Sequence, residues 1–181
     1  MDVNSLFKDK RYDLLFRLAF SARYHQRRES FYEFWDKFAK AIAVIGGAAA
    51  ISTLLDRWHP DIKTWIAAVI TFTSTLSLVF GLSQKARLHL ELRRRYGLLE
   101  SRLISLADGD MESLKKIESE ISLIESDEPP ILATLVQLCQ NEVARAWDRP
   151  DHIHNVQLLK RLFANFFDLE ASGRLNTRSP N

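Results

Sequence analysis

Few residues in this chain have the types and spacing that catalysis needs. The only cysteine, Cys139, recurs with apolar residues on one face of a predicted helix, which favours a buried side chain over a nucleophile. His152 and His154 are two residues apart, so on a helix they point away from each other and form no metal site. The carboxylates of residues 125–128 lie at a predicted helix end and need no catalytic explanation. Since the motifs GxGxxG, GxxxxGK(S/T), GxSxG and HExxH do not occur, we expect no enzyme activity, metal or cofactor.

A different kind of chemistry, the lining of a polar pore, is suggested by hydroxyl residues within the uncharged segment 64–84. On a helix, Thr71, Ser74, Thr75 and Leu78 fall along one face. In an oligomer this stripe would line a narrow polar pore. The alternative is that the hydroxyls bond to their own backbone or to a neighbouring helix.

Small residues in the segment IGGAAA predict close packing between helices. Ala43 and Gly47 form one pair spaced four residues apart, and Gly46 and Ala50 form another. Such pairs allow two helix backbones to approach each other closely in a membrane. The partner is either the second apolar segment of the same chain or a neighbouring subunit.

Three consecutive arginines, Arg93, Arg94 and Arg95, are candidates for binding phosphate. They would hold lipid headgroups or the phosphate of a nucleotide. The alternative is that they are ordinary positive charges flanking a membrane segment.

Two uncharged segments must position these residues. Residues 64–84 carry no charge over twenty-one residues, which as a helix span about 31 Å, the thickness of a bilayer core. Residues 41–55 give only about 22 Å, and they reach across by recruiting preceding residues, with Lys40 extending toward the headgroups. We therefore predict transmembrane helices over 38–56 and 64–84, joined by the linker 57–63. The alternative is a soluble bundle in which both segments form a buried central hairpin.

Basic residues predict the orientation of this hairpin. Residues 1–40 hold nine Lys and Arg and residues 83–102 hold six, against two in residues 56–63. Positive flanks stay inside, so we expect both termini on the cytoplasmic side of the membrane. A net charge of +2 does not favour nucleic acid as a partner.

The remaining segments predict an all-α fold, an integral membrane helical hairpin with a cytoplasmic helical bundle. Residues 1–37 form an amphipathic helix and residues 85–168 form the bundle, with the second membrane helix continuing past residue 84 and Asp110 capping a helix. Residues 169–181 are polar and are expected to be disordered. Apolar residues at helical spacing define the faces that pack together: Leu88, Leu92, Tyr96, Leu99, Leu103 and Leu106, then Met111, Leu114, Ile117, Ile121 and Ile124.

Several stretches resemble SLATT-domain proteins over residues 10–147. They are RYHQRRESFYEFWDKFAKAIAVIGGAAA, RRRYGLLESRLISL and IESDEPPILATLVQLCQNEV, with the short hairpin between the first two. The resemblance lies in this layout, in Arg-Tyr-His at 23–25, and in Glu-Pro at 128–129 followed by Cys139 and Asn-Glu at 141–142. The family has no agreed set of catalytic residues to transfer.

This resemblance implies a two-transmembrane effector of bacterial anti-phage defence. Such a protein would form homo-oligomers and open a pore in the inner membrane, or disrupt it, when a cyclic nucleotide or a signalling partner acts on its cytoplasmic bundle. The alternative is a membrane-anchored sensor or scaffold that binds a nucleotide or a partner protein without forming a pore. Membrane lipid is a partner in either case.

Overall fold

The computed structural model describes residues 3–47, 60–149 and 153–166. Helices are the only regular secondary structure in these ranges, which confirms the all-α fold class. They are α1 (Val3–Gly47), α2 (Pro60–Phe80), α3 (Leu82–Ile104), α4 (Met111–Ser126), α5 (Ala133–Ala146) and α6 (Leu158–Phe163). The predicted tail 169–181 and residues 48–56 of the first predicted span lie outside the described residues.

Two helix boundaries differ from the predicted ones. The N-terminal helix and the start of the first apolar segment were predicted as separate elements, but α1 is one helix of 45 residues. No Pro precedes Gly46 in this range, and charged residues on one face do not end a helix. Pro60, predicted to lie in the linker, begins α2. Proline suits a first helical turn because its missing N–H needs no partner there.

The chain divides into two compact units. The first, here called the bundle unit, contains residues 1–24 and 92–181. The second, here called the apolar unit, contains residues 25–91. Both units draw on α1 and α3, since the divisions fall inside these helices.

The core of the bundle unit is formed by α1, α3 and α4. Each helix contributes side chains at three- or four-residue spacing, the pattern of one buried face. They are Phe7, Leu14 and Leu18, then Leu92, Tyr96, Leu99 and Leu103, then Leu114, Ile117, Ile121 and Ile124. Burial of each aliphatic side chain stabilises the fold by about 1.5–3 kcal/mol. The predicted faces of α3 and α4 are therefore confirmed, except that Leu88 is exposed.

Caps and side-chain contacts fix the ends of the bundle helices. Asp110 accepts a hydrogen bond from the Ser113 backbone N–H at 3.0 Å, which confirms the predicted N-cap of α4. Hydrogen bonds from the side chain and the backbone of Ser113 favour the ionised carboxylate and lower the pKa of Asp110. At the start of α5, the Leu132 N–H donates to the Tyr24 hydroxyl at 3.1 Å, which satisfies a backbone donor that has no partner within the helix.

The acidic residues at the end of α4 serve packing. Arg17 donates to both Glu125 oxygens, its Nε at 2.9 Å from Oε1. The Tyr96 hydroxyl donates to Glu128, and burial together with this carboxylate raises the Tyr96 pKa. These contacts join α1 to the end of α4 and α3 to the segment that follows α4.

Cys139 lies in a second cluster of the bundle unit. It is fully buried with Tyr24, Leu135, Leu138 and Ala164, as its place on the apolar face predicted. On the same helix, Asn141 makes two hydrogen bonds to the His154 backbone, at 2.7 and 2.8 Å. His154 thus contributes its backbone here, while His152 lies outside the described residues.

The second apolar segment is broken at Gly81. The sequence predicted a continuous helix past residue 84, but α2 ends at Phe80 and α3 begins at Leu82. Gly81 has a φ of +56°, a left-handed conformation that glycine adopts without steric cost. Within the described ranges, no unbroken helix combines the length and hydropathy of a membrane span. Thr64–Phe80 and Leu82–Ile104, bent by 40°, do so by length and composition as a pair.

Candidate functional site

An open cavity with a mostly apolar lining lies beside α2 in the apolar unit. Its volume is about 450 Å³. One wall comes from α1 and the other from α2 and the segment after it, and its lining includes Asp36, Ala39, Lys40, Ala43, Ser74, Ser77, Leu78, Gly81 and Gln84. We call it the Asp36 cavity. It brings together a carboxylate, an ammonium group and several hydroxyl and amide groups.

The four predicted pore-lining residues divide between two environments. Ser74 and Leu78 line the Asp36 cavity. Thr71 is exposed, and its Oγ1 donates to the Ala67 carbonyl oxygen at 2.9 Å. Thr75 is also exposed. For Thr71 the structure therefore shows the local hydrogen bond that was the alternative to pore lining.

The four predicted helix-packing residues also separate. Ala43 lines the Asp36 cavity opposite Ser74 and Leu78. Gly46 and Gly47 form the end of α1. Ala50 lies outside the described residues. Ala43 is thereby placed beside the second apolar helix.

The three arginines of α3 lie in the bundle unit and point in different directions, since consecutive helical residues are rotated by about 100°. Arg95 forms an ion pair with Asp127 at 2.8 Å. Arg94 is exposed and Arg93 is half-buried. Arg95 is thus engaged by a carboxylate of the bundle unit.

Asp36 and Lys40, which the sequence analysis did not select as a pair, form an ion pair on the cavity wall. Lys40 Nζ lies 2.6 Å from Asp36 Oδ2, and the side chains are 65% and 12% exposed. A carboxylate in apolar surroundings costs free energy unless it is paired. Lys40, one turn further along α1, supplies that partner while its stem remains exposed. Their four-residue spacing beside an apolar segment was the signal in the sequence.

A second ion pair on α1 has the same four-residue spacing, but its residues do not line the Asp36 cavity. Lys37 Nζ lies 2.7 Å from Glu33 Oε1, with side chains 72% and 52% exposed. The two pairs thus differ chiefly in the burial of the carboxylate. An exposed pair of this kind contributes only about 0.3–0.5 kcal/mol to stability.

Two buried histidines join α1 to α3 within the apolar unit. His25 Nδ1 lies 2.9 Å from His89 Nδ1, so one imidazole donates the hydrogen and the other accepts it. Tyr32 stacks on His89 with an interplanar angle of 12°, and the Arg28 guanidinium lies 4.5 Å from the Tyr32 ring centroid. Because His25 and His89 are 64 residues apart, no local pattern in the sequence indicates this pair.

Replacing Gly81 by alanine is expected to lower the thermal stability of the detergent-solubilised chain. A Cβ at φ +56° is strained, which costs about 1 kcal/mol. The added atom would also lie 3.2 Å from Gln84 Oε1. Gly97→Ala is the matched control, because nothing lies within 4 Å of its Cβ position on α3. That change should stabilise by about 0.5–1 kcal/mol, so two shifts of the same sign would contradict the prediction.

The Asp36 cavity is therefore the place in the apolar unit where predicted pore and packing residues meet an ion pair. Most of its lining surface is apolar, so the ion pair lies at the edge of an apolar groove. Comparison of the chain with protein-family models, curated proteins and solved structures finds no match.

Proposed function

We propose that this protein is a two-transmembrane effector whose apolar unit forms a pore or disrupts the inner membrane of a bacterium. The supporting observation is the exposure of large apolar side chains along α1 and α2 in that unit. They are Phe34, Phe38, Val44, Ile45, Trp65, Val69, Phe72, Leu78, Val79 and Phe80. A soluble monomer rarely exposes such a continuous apolar set, whereas lipid or a neighbouring copy covers it without cost.

The distribution of charge supports the orientation in this proposal. The residues before and after the apolar helices are rich in Lys and Arg, and such flanks remain in the cytoplasm. The bundle unit then lies on the cytoplasmic side, with both termini. The two spans are residues 38–56 and 64–84, and the second lies within the bent pair Thr64–Phe80 and Leu82–Ile104, which has the length and composition of a span.

Oligomerisation would convert the hydroxyl stripe into a pore. A single hairpin has no closed lumen, so conduction needs several copies with their polar faces turned inward. Thr71 and Thr75 are exposed in the single chain and are therefore available to such a lumen. The SLATT resemblance supports homo-oligomerisation and a nucleotide or partner signal that binds the open arrangement better than the resting one.

The second candidate function is a membrane-anchored sensor or scaffold without a pore. The hydrogen bonds of Thr71 and Thr73 to their own backbone favour it, at 2.9 Å to Ala67 and 2.6 Å to Val69. Hydroxyls satisfied in this way sit in lipid-facing helices without lining any water path.

Leakage of K⁺ from vesicles separates the two candidates. The full-length chain is reconstituted at increasing protein-to-lipid ratio into vesicles loaded with KCl, and efflux is recorded with a potentiometric dye. We expect leakage to rise steeply with protein density, because the pore needs several copies. Thr71→Leu with Thr75→Leu should reduce it by about tenfold or more, since apolar side chains dewet a narrow pore.

The control replaces two exposed residues away from the hydroxyl stripe, Val69→Leu with Phe72→Leu, and should leak as the unmodified chain does. Vesicles that stay tight at every protein density would reject the pore and leave the sensor or scaffold. Equal loss in both double variants would show that the hydroxyl stripe has no special part.

A further inference from the structure

Two buried imidazoles share one hydrogen in the apolar unit. His25 on α1 and His89 on α3 are 1% and 2% exposed, and their Nδ1 atoms lie 2.9 Å apart. One Nδ1 must donate the hydrogen and the other must accept it, so the accepting atom carries no proton. Two imidazolium ions have four ring N–H groups, whereas the bonded pair has at most three. The contact between the two helices therefore holds one proton fewer than two separate imidazolium ions would.

The charged residues about one helical turn from the two histidines are three cations and one carboxylate. They are Arg28 and Glu29 on α1, and Lys85 and Arg93 on α3. The Arg28 guanidinium lies 4.5 Å from the centroid of the Tyr32 ring, which stacks on His89. The Lys85 Nζ lies 5.7 Å from the same centroid. Because like charges disfavour a further positive charge, these surroundings oppose protonation of both imidazoles while they remain in contact.

We propose that the His25–His89 pair is a proton-sensitive latch, which holds α1 against α3 while the accepting Nδ1 is unprotonated and releases when acid protonates both rings. Histidine side chains in water take up a proton near pH 6.5, so release falls at about pH 5–6.5. The released state binds one proton more than the latched state, so a fall in pH favours release by up to about tenfold per pH unit. The latch itself needs no pore, and only its effect on leakage rests on the proposed function.

The alternative explanation is that the two histidines form a fixed packing contact. A fixed contact would break only when the whole chain unfolds, because nothing else in the fold would depend on it. A latch opens locally, so the shared hydrogen is lost while the helices persist. The two explanations therefore differ in the order of events on acidification.

The first measurement detects the shared hydrogen directly by NMR. The full-length chain, labelled with ¹⁵N in its histidine side chains, is studied in detergent micelles. A scalar coupling between the two Nδ1 atoms should be present at about pH 7.5 and absent at about pH 5, while the helical circular dichroism stays unchanged. His25→Asn should lack the coupling at both values, which assigns the signal. A coupling that persists at about pH 5, or that disappears only together with the helical signal, would overturn the latch.

The second measurement compares melting temperatures between about pH 6.5 and pH 5. In His25→Asn, the amide does not titrate, and His89 can donate its Nδ1–H to the amide oxygen while carrying its second proton. The melting temperature of the unmodified chain should therefore fall more steeply with acid than that of His25→Asn. His154→Gln is the control, because His154 is exposed in the bundle unit, and it should keep the steep dependence. Equal slopes in all three chains would contradict the latch.

Efflux of K⁺ from the reconstituted vesicles tests whether the latch controls the proposed pore. Efflux through the unmodified chain should rise by up to about tenfold as the pH falls by one unit from about 6.5. Efflux through His25→Asn should change little over the same range. Vesicles that stay tight, although the coupling is lost in acid, would reject the pore alone. Leaky vesicles whose chain keeps the coupling at about pH 5 would reject the latch alone.

Discussion

Replacing Phe72 by arginine is expected to deplete the chain from the membrane fraction, whereas replacing Leu123 by arginine leaves its distribution unchanged. The two side chains are almost equally exposed, at 64% and 63%. Phe72 lies in the middle of α2, where lipid would surround it, and arginine at the centre of a span costs about 2.5–3.5 kcal/mol on the insertion scale. That energy corresponds to a loss of roughly 70- to 400-fold in partitioning. Leu123 lies on α4 in the bundle unit, where a surface change in water alters stability by about 0.5 kcal/mol or less.

The measurement is fractionation of expressing cells after an alkaline carbonate wash, which removes peripheral proteins and retains integral ones. Phe72→Leu is the control for the loss of the aromatic ring, and it should remain in the membrane. If Phe72→Arg and Leu123→Arg distribute alike, the apolar unit does not lie in lipid. The buried central hairpin of a soluble assembly would then be the better account of segments 41–55 and 64–84.

The core of the bundle unit was predictable because its information is local. A buried face on a helix repeats every three or four residues, so Leu99, Leu103, Ile117 and Ile121 were identified from spacing alone. The cap of α4 was predictable for the same reason, since Asp110 reaches a backbone N–H only three residues later. Such patterns do not depend on which helix is the partner.

The break at Gly81 was not predictable from its surroundings. Glycine is common in membrane helices and often continues them, and nothing in the neighbouring residues requires a positive φ. The continuity of α1 was not predicted either. Residues 1–37 and 38–56 were assigned to a cytoplasmic helix and a membrane span, but a helix propagates through charged residues when good helix formers follow.

The candidate site was predictable only in part. Asp36 and Lys40 are four residues apart, so their spacing indicates a possible ion pair. The cavity beside this pair is formed also by Ser74 from another helix, which spacing along α1 cannot indicate. Arg95 illustrates the same limit, because its ion pair with Asp127 joins residues 32 apart. The sequence offered Arg95 as a candidate for binding phosphate because its acidic partner is distant in the chain.

The largest stability loss in the bundle unit is expected from Tyr96→Ala. Tyr96 is fully buried between α1 and α4, and its hydroxyl donates to Glu128. Removing a buried aromatic ring leaves a cavity and costs about 3–5 kcal/mol. Leu98→Ala is the control on the same helix, since Leu98 is exposed and should cost about 0.5 kcal/mol or less. Urea unfolding of the detergent-solubilised chain, followed by helical circular dichroism, measures both, and equal midpoints would contradict the assigned core.

Tyr96→Phe separates the hydroxyl from the ring. It should cost only about 0.5–1.5 kcal/mol at neutral pH, the net value of one hydrogen bond. Because burial and Glu128 raise the Tyr96 pKa in the folded chain, the folded state holds its phenolic proton more tightly than the unfolded state does. The hydroxyl's contribution is therefore fully present below the unfolded pKa of about 10 and is lost as the pH rises above it. The stability gap between the unmodified chain and Tyr96→Phe should thus shrink above that pH, and a gap that stays constant to pH 11 would contradict a buried, un-ionised phenol.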